Sequence, residues 1–230
     1  MKKFIFVTGP SESGKSGGIN YIIDNYGDTF KHLKIRNIFP EVYKDSHSEL
    51  DFQTWYNEEY QNNFENLWDR YIKKADEMSG DFDVVIMDTM YGLKTIKYLY
   101  EKLGDSLGVL YIDADYQLRV KREFDRLRTD SPRGTRKADL TITIEDVKNR
   151  TLTKDRSKSL KETFEYRDLV YYGDSIIVGD RNKEVPFSYL INNNGTIEDF
   201  HNALDCFATT QLSLLRNNSN ERIRKKANNS

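Results

Sequence analysis

Eight residues near the amino terminus set two glycines, a lysine and a hydroxyl at fixed spacing: Gly9, Pro10, Ser11, Glu12, Ser13, Gly14, Lys15 and Ser16. They fit G-x-x-x-x-G-K-[ST], a pattern suited to wrapping the phosphates of a nucleoside triphosphate. The glycines let backbone N–H groups turn inward around phosphate oxygens, where a side chain would block the approach. Lys15 is then placed to reach the β and γ oxygens, and Ser16 to offer its hydroxyl to Mg2+. Residues 9–16, with Gly17 behind them, form the candidate ATP site.

A second candidate is Asp88, the acid closing the apolar run 82–88. In a parallel sheet all strand carboxyl ends open on one edge, so Asp88 is expected near the nucleotide. There it would hold the Mg2+ water shell or take a proton from an attacking hydroxyl; the alternative is an acid capping the next helix. Asp113 ends the following strand, where Asp113-Ala114-Asp115 opens into a helix and capping is favoured.

Cations supply the third feature. Arg119, Arg122 and Arg126 fall within about one-sixth of a turn on a helix beginning at Tyr116, away from Val120, Phe124 and Leu127. Arg133 and Arg136 follow in a segment broken by Pro132 and Gly134. Phosphoryl transfer spreads negative charge over equatorial oxygens, and cations closing from the side opposite the glycine loop stabilise it. Arg122 and Arg126 are thus candidate nucleotide contacts, and Arg133 and Arg136 candidate catalytic cations of a lid over 129–143. The competing possibility is a solvated basic face balanced by Glu123, Asp125 and Asp130.

The elements that must carry these residues alternate strand and helix. Residues 3–7 read as a buried strand, and Ile19, Ile22 and Ile23 recur at helical spacing up to Gly27. Alternation over 32–39 predicts a second strand stopped by Pro40. Residues 53–78 read as one long amphipathic helix, whose aromatic stripe from Trp55 to Ile72 lines an acceptor pocket or packs as core. Strands over 82–88 and 109–112 follow, with helices over 93–103 and 116–128. A helix begins near Thr143, capped by Asp146, and runs to Arg156. Short strands are expected at 175–178 and 188–191, a turn at Asn192 to Gly195, and a last helix over 196–215. Cys206 reads as a packing residue of that helix. The basic, Asn-rich stretch 216–230 reads as a disordered tail. These elements compose an α/β fold: three layers of the P-loop NTPase type, with a mainly parallel five-stranded central sheet and an arginine-bearing lid.

With 230 residues, one such domain over 1–215 is the expected scale. A net charge of −2 argues against a nucleic-acid surface. One cysteine excludes an internal disulfide, three scattered histidines give no metal-ligand spacing, and no run approaches a membrane span. A cytoplasmic protein with no membrane partner is expected.

The order of glycine loop, buried strand ending in Asp88, Leu110-Tyr111-Ile112-Asp113 before an arginine-bearing helix, lid, and a late Tyr189-Leu190-Ile191-Asn192-Asn193-Asn194-Gly195-Thr196 resembles the nucleoside monophosphate kinase group. Within it, dephospho-CoA kinase is the nearest likeness, through the Gln117 to Arg122 helix and the closing strand with its Asn-x-Gly turn. The Gly-Pro-Ser opening also resembles guanylate kinase. The resemblance implies an ATP- and Mg2+-dependent P-loop kinase acting on a small nucleotide or nucleoside-like acceptor, with Asn194 near the adenine ring. That family places its base at the end of the second strand, which here reads Phe39-Pro40-Glu41 with Asp45 beyond. Asp88, Glu41 and Asp45 are therefore alternatives for the base. A polynucleotide or nucleotide-sugar kinase, and a nucleotide-switched binding protein, are the other function classes that share a phosphate loop.

Overall fold

The computed structural model describes residues 2–88, 93–130, 137–156, 169–172 and 188–227. Strand β1 (Lys3–Thr8) is buried along its whole length because it occupies the middle of a parallel sheet covered on both faces. The sheet runs β2 (Phe30–Lys34), β3 (Val84–Asp88), β1, β4 (Leu107–Asp113), β6 (Ser188–Asn192), β5 (Leu169–Tyr172), with every neighbouring pair parallel. The expected α/β class is found, with six strands where five were expected. The anticipated strand at 175–178 lies outside the described residues.

Alternation along β1 divides the core in two. Phe4 and Phe6 face helices α2 (Ile35–Ser46), α3 (Phe52–Asn62), α4 (Phe64–Ser79) and α5 (Leu93–Leu103). Ile5 and Val7 face α1 (Lys15–Tyr26) and α8 (Ile197–Ala227). Helices α6 (Tyr116–Leu127) and α7 (Ile144–Arg156) pack on each other through Val120, Leu127 and Val147. Since β1 leads into α1 on one face and β3 precedes α5 on the other, a crevice opens beyond their carboxyl ends.

Three expected boundaries are corrected. The second strand stops at Lys34, and residues 35–39, expected as strand, open α2. Ile38, Phe39 and Val42 bury one helical face, and that packing outweighs the short alternating pattern. Pro40 sits inside α2 on its exposed side, where it removes one backbone donor and disturbs no core contact. The long helix 53–78 is two helices, broken at Asn63 with φ −131 and ψ 35. Asp51 caps the first by accepting from the N–H groups of Gln53 and Thr54, and the break turns Tyr60 edge-on to Phe64 at 5.2 Å. Third, α8 runs on to Ala227, past the expected end at 215 and through most of the stretch expected as a disordered tail. Cys206 on that helix is exposed, not packed.

Two capping pairs start the later helices as their sequences suggest. Asp146 accepts from the Thr143 N–H at 3.0 Å while the Thr143 hydroxyl oxygen accepts from the Asp146 N–H, and Thr196 with Asp199 repeats the exchange. No described helix is long and apolar enough to cross a membrane.

Candidate active site

The glycine loop leaves β1 and turns into α1 within a space that admits no extra carbon at two of its glycines. Gly9 has φ 134, and a Cβ there would lie 2.1 Å from the Ile112 carbonyl oxygen of β4. Gly14 has φ 102, and a Cβ there would lie 2.3 Å from Nδ2 of Asn193. Glu12 adopts φ 61, a left-handed conformation unusual for a side chain of that size. Gly14 brings no capping side chain to α1, so the amino end of that helix faces the loop with its dipole uncovered. Lys15 is half-buried and donates from Nζ to the Gly9 carbonyl at 2.8 Å and to that of Pro10, which holds its charge inside the loop.

One flank of the loop is a cushion of charge. Arg119 is buried, donates to the carbonyls of Ala114 and Ser11, and pairs with Asp155 at 2.9 Å. Arg122 reaches the Glu12 carbonyl and donates to the Asn193 carbonyl at 3.0 Å. Arg126 lies 3.3 Å from the Glu12 carboxylate and pairs with Glu123, which is fully buried and also accepts from Lys154 at 3.1 Å. Burial opposes ionisation of Glu123, yet hydrogen bonds from Glu12, Arg126 and Lys154 outweigh it and hold its carboxyl down to about 2. Glu12 moves the other way: burial, the shared hydrogen bond and the Glu123 charge raise it. Asn193 completes the flank, donating from Nδ2 to the Ser13 carbonyl at 2.8 Å. Asn194, one residue on, is exposed and ties to Asp115 at the start of α6.

On the other flank a cavity of about 650 Å3 opens beyond β2 and β3. Ser16 and Asp88 border it at the loop, with Lys34 and Arg36 from the junction of β2 and α2. Register explains the grouping, since Val7 pairs with Asp88 and Asp88 with Lys34 across adjacent strands. Phe39, Tyr56, Tyr60 and Trp68 supply aromatic walls, and Ile35 and Thr95 complete the lining. His32 Nε2 stands 3.4 Å from an Asp88 oxygen, close enough for attraction but without hydrogen-bond alignment. Burial, and then the Asp88 charge, raise the phenol of neighbouring Tyr71 well above its ordinary range.

The structure therefore brings Asp88 beside Ser16 on one flank of the loop, and Arg122 and Arg126 against Glu12 on the other. Arg133 and Arg136 lie outside the described residues. Among the alternative carboxylates, Asp45 pairs with Lys74 on α4 and Glu41 does not line the cavity, whereas Asp88 does. Asp113 is not the cap of α6; its carboxylate accepts from the Ala114 N–H at 2.8 Å, and Asp115 occupies the cap position. Sequence reasoning missed Lys34, Arg36 and Asn193. The first two were hidden by the overlong second strand, and Asn193 by its more exposed neighbour Asn194.

Ser16 and Asp88 bring one hydroxyl and one carboxylate to the loop edge of the cavity, and no cluster of three or more ligating side chains occurs among the described residues. That sparse set fits Mg2+, which keeps most of its water and takes few protein ligands, and it does not fit a closed transition-metal site.

No family model and no curated protein sequence matches this chain. Solved structures do. TT1252 from Thermus thermophilus superposes with a TM-score of 0.50 at 16% identity, covering 91% of this chain and 97% of that one. A gluconokinase from Sinorhizobium meliloti 1021 gives 0.47 at 12% identity over 94% and 97% of the two chains. Shikimate kinase from Bacteroides thetaiotaomicron gives 0.44 at 9% over 91% and 98%. Sheet order, glycine loop and the first of these likenesses together define an α/β protein of the P-loop type, similar to these proteins in fold.

Proposed function

We propose that this chain is an ATP-dependent phosphotransferase that passes the γ-phosphoryl group to a small nucleotide-like acceptor, best matched by a nucleoside monophosphate. One observation carries the proposal: the phosphate loop and the amino end of α1 open directly onto an aromatic-walled cavity that Ser16 and Asp88 share. A switch protein has no use for such a cavity beside its nucleotide, and a volume near 650 Å3 suits a small molecule more than a polynucleotide.

The division of labour follows from the chemistry of each side chain. Loop N–H groups and the α1 dipole bind the triphosphate, and Lys15 exchanges its two loop carbonyls for phosphate oxygens. Mg2+, when bound, would neutralise charge between the β- and γ-phosphates, with Ser16 and Asp88 as the residues that hold it. Asp88 would also take the proton where the acceptor attacks through a hydroxyl. Lys34 and Arg36, which enter no ion pair among the described residues, would receive an anionic group on the acceptor. Phe39, Tyr56 and Tyr60 offer ring faces and edges to a planar base, where a sugar acid would need many polar partners. Arg133 and Arg136 are assigned to closing over the phosphates, and Asn194 to the adenine side. Incubation with labelled ATP and a panel of nucleosides, nucleotides and dephospho-CoA tests the proposal. Label should appear in a nucleotide-like acceptor, and release of inorganic phosphate alone would remove the kinase assignment.

A further inference from the structure

His32 has no role in the transfer chemistry above, yet it stands against a residue that does. Lys34 pairs with Asp88 and His32 with Ile86 across adjacent strands, so His32, Lys34 and Asp88 share one face of the sheet, the face that Phe30 and Ile86 bury against α1. His32 Nε2 lies 3.4 Å from an Asp88 carboxylate oxygen, and among the described residues each is the other's one ion-pair partner. Lys34, directly across the ladder from Asp88, makes no such pair among the described residues and borders the cavity instead. Nε2 is buried and without an aligned hydrogen bond, and His32 is not part of the cavity lining. It is therefore placed to act on Asp88 and not on a guest of the cavity.

A carboxylate at the end of a strand turns about its last bond unless a neighbour holds it. An N–H donated to one oxygen fixes the plane of the group, and losing such a partner behind a metal-holding side chain costs about 10–100-fold in metal affinity. The separation of 3.4 Å is long for a hydrogen bond, and a small turn of the carboxylate closes it, as such contacts tighten when substrates bind. Both the neutral Nε2–H tautomer and the imidazolium donate from that atom, so the contact needs no change of protonation. Resting on the assignment of Asp88 above, we infer that His32 is a positioning residue, donating from Nε2 to one Asp88 oxygen and so fixing the carboxylate that holds Mg2+ with Ser16.

The test measures how far Mg2+ tightens the binding of a non-hydrolysable ATP analogue, as the ratio of its dissociation constants without and with Mg2+. Equilibrium titration of the full chain gives both, with no turnover needed. Asp88→Asn should lower the ratio, and His32→Leu, which removes the N–H, should lower it about tenfold. His32→Gln, whose amide Nε2 also donates, should keep most of it. The double variant His32→Leu with Asp88→Asn should lose no more than Asp88→Asn alone, because a positioning residue acts only through its carboxylate. Thermal melts accompany each variant, and His32→Phe, a ring without the N–H, replaces His32→Leu if the latter does not fold. Losses that add in the double variant, no rescue by glutamine, or an unchanged ratio in a folded His32→Leu protein overturns this inference and leaves Asp88 as the metal holder. An unchanged ratio in Asp88→Asn removes the metal role of Asp88 and this inference with it.

Discussion

Arg126 and Tyr60 stand on opposite flanks of the phosphate loop in opposite chemical surroundings. Around Arg126 nearly every charge is answered. Glu12, Glu123, Lys154, Arg119 and Asp155 form pairs that tie α6 and α7 to the loop backbone. Around Tyr60 the walls are rings, and the cations Lys34 and Arg36 have no acid partner among the described residues. A flank whose charges pair internally holds the loop in shape, whereas one that keeps cations without an acid partner is prepared for an anionic guest. The flanks should therefore respond differently to substitution: the loop and its catalytic groups through rate, the paired cushion through stability, the ringed cavity through acceptor affinity.

The sharpest test removes charge from the loop itself. Lys15→Ala should lower transfer by roughly 10³-fold, in the range for loss of a transition-state cation, as read by phosphoryl transfer from labelled ATP. Because Lys15 also bridges two loop carbonyls, circular dichroism should accompany the assay; a folded variant with normal turnover would break the comparison at its centre.

Replacing Arg133 and Arg136 together by alanine should lower the rate by roughly 10²–10⁴-fold while ATP affinity changes far less. A matched loss in ATP affinity and rate would instead make them ground-state binders. Asp88→Asn, nearly isosteric, should cost about a hundredfold in kcat with little change in melting temperature. If Asp88→Asn turns over normally while Glu41→Gln or Asp45→Asn does not, the base belongs to α2.

The smallest kinetic effect is expected from Glu123, whose role is to hold the cushion. Glu123→Gln leaves Arg126 and Lys154 without their buried anion and should destabilise the fold by about 3 kcal/mol in urea unfolding. Its pH signature has a definite sign. A carboxyl held at about 2 against an ordinary 4.5 adds stability above pH 4.5 that is lost as pH falls toward 2. Wild type should lose stability across that window, and Glu123→Gln should lose less there. Glu12, raised by burial and by Glu123, acts in the opposite direction and makes the acid limb shallower.

What the sequence determined by itself was local and chemical. The loop pattern was legible because two backbone positions require glycine, and φ 134 at Gly9 and 102 at Gly14 bear that requirement out. The buried runs before Thr8, Asp88 and Asp113 were legible because a strand covered on both faces tolerates only apolar residues. The Thr143–Asp146 pair marked a helix start because capping is settled within three residues.

Only the tertiary structure decided where those pieces meet. Residues 35–39 alternate like a strand, yet helical packing of Ile38, Phe39 and Val42 on the core outweighs that local pattern. The same turn of chain moves Arg36 from an expected strand to the rim of the cavity. Trp55, buried in the core, and Tyr60, on the cavity wall, share one helix, a distinction no periodicity carries, because both obey helical spacing. Asn193 reached the loop and Asn194 did not, since strand register, set by pairing of Asn192 with Asp113, fixes which side of the turn faces inward.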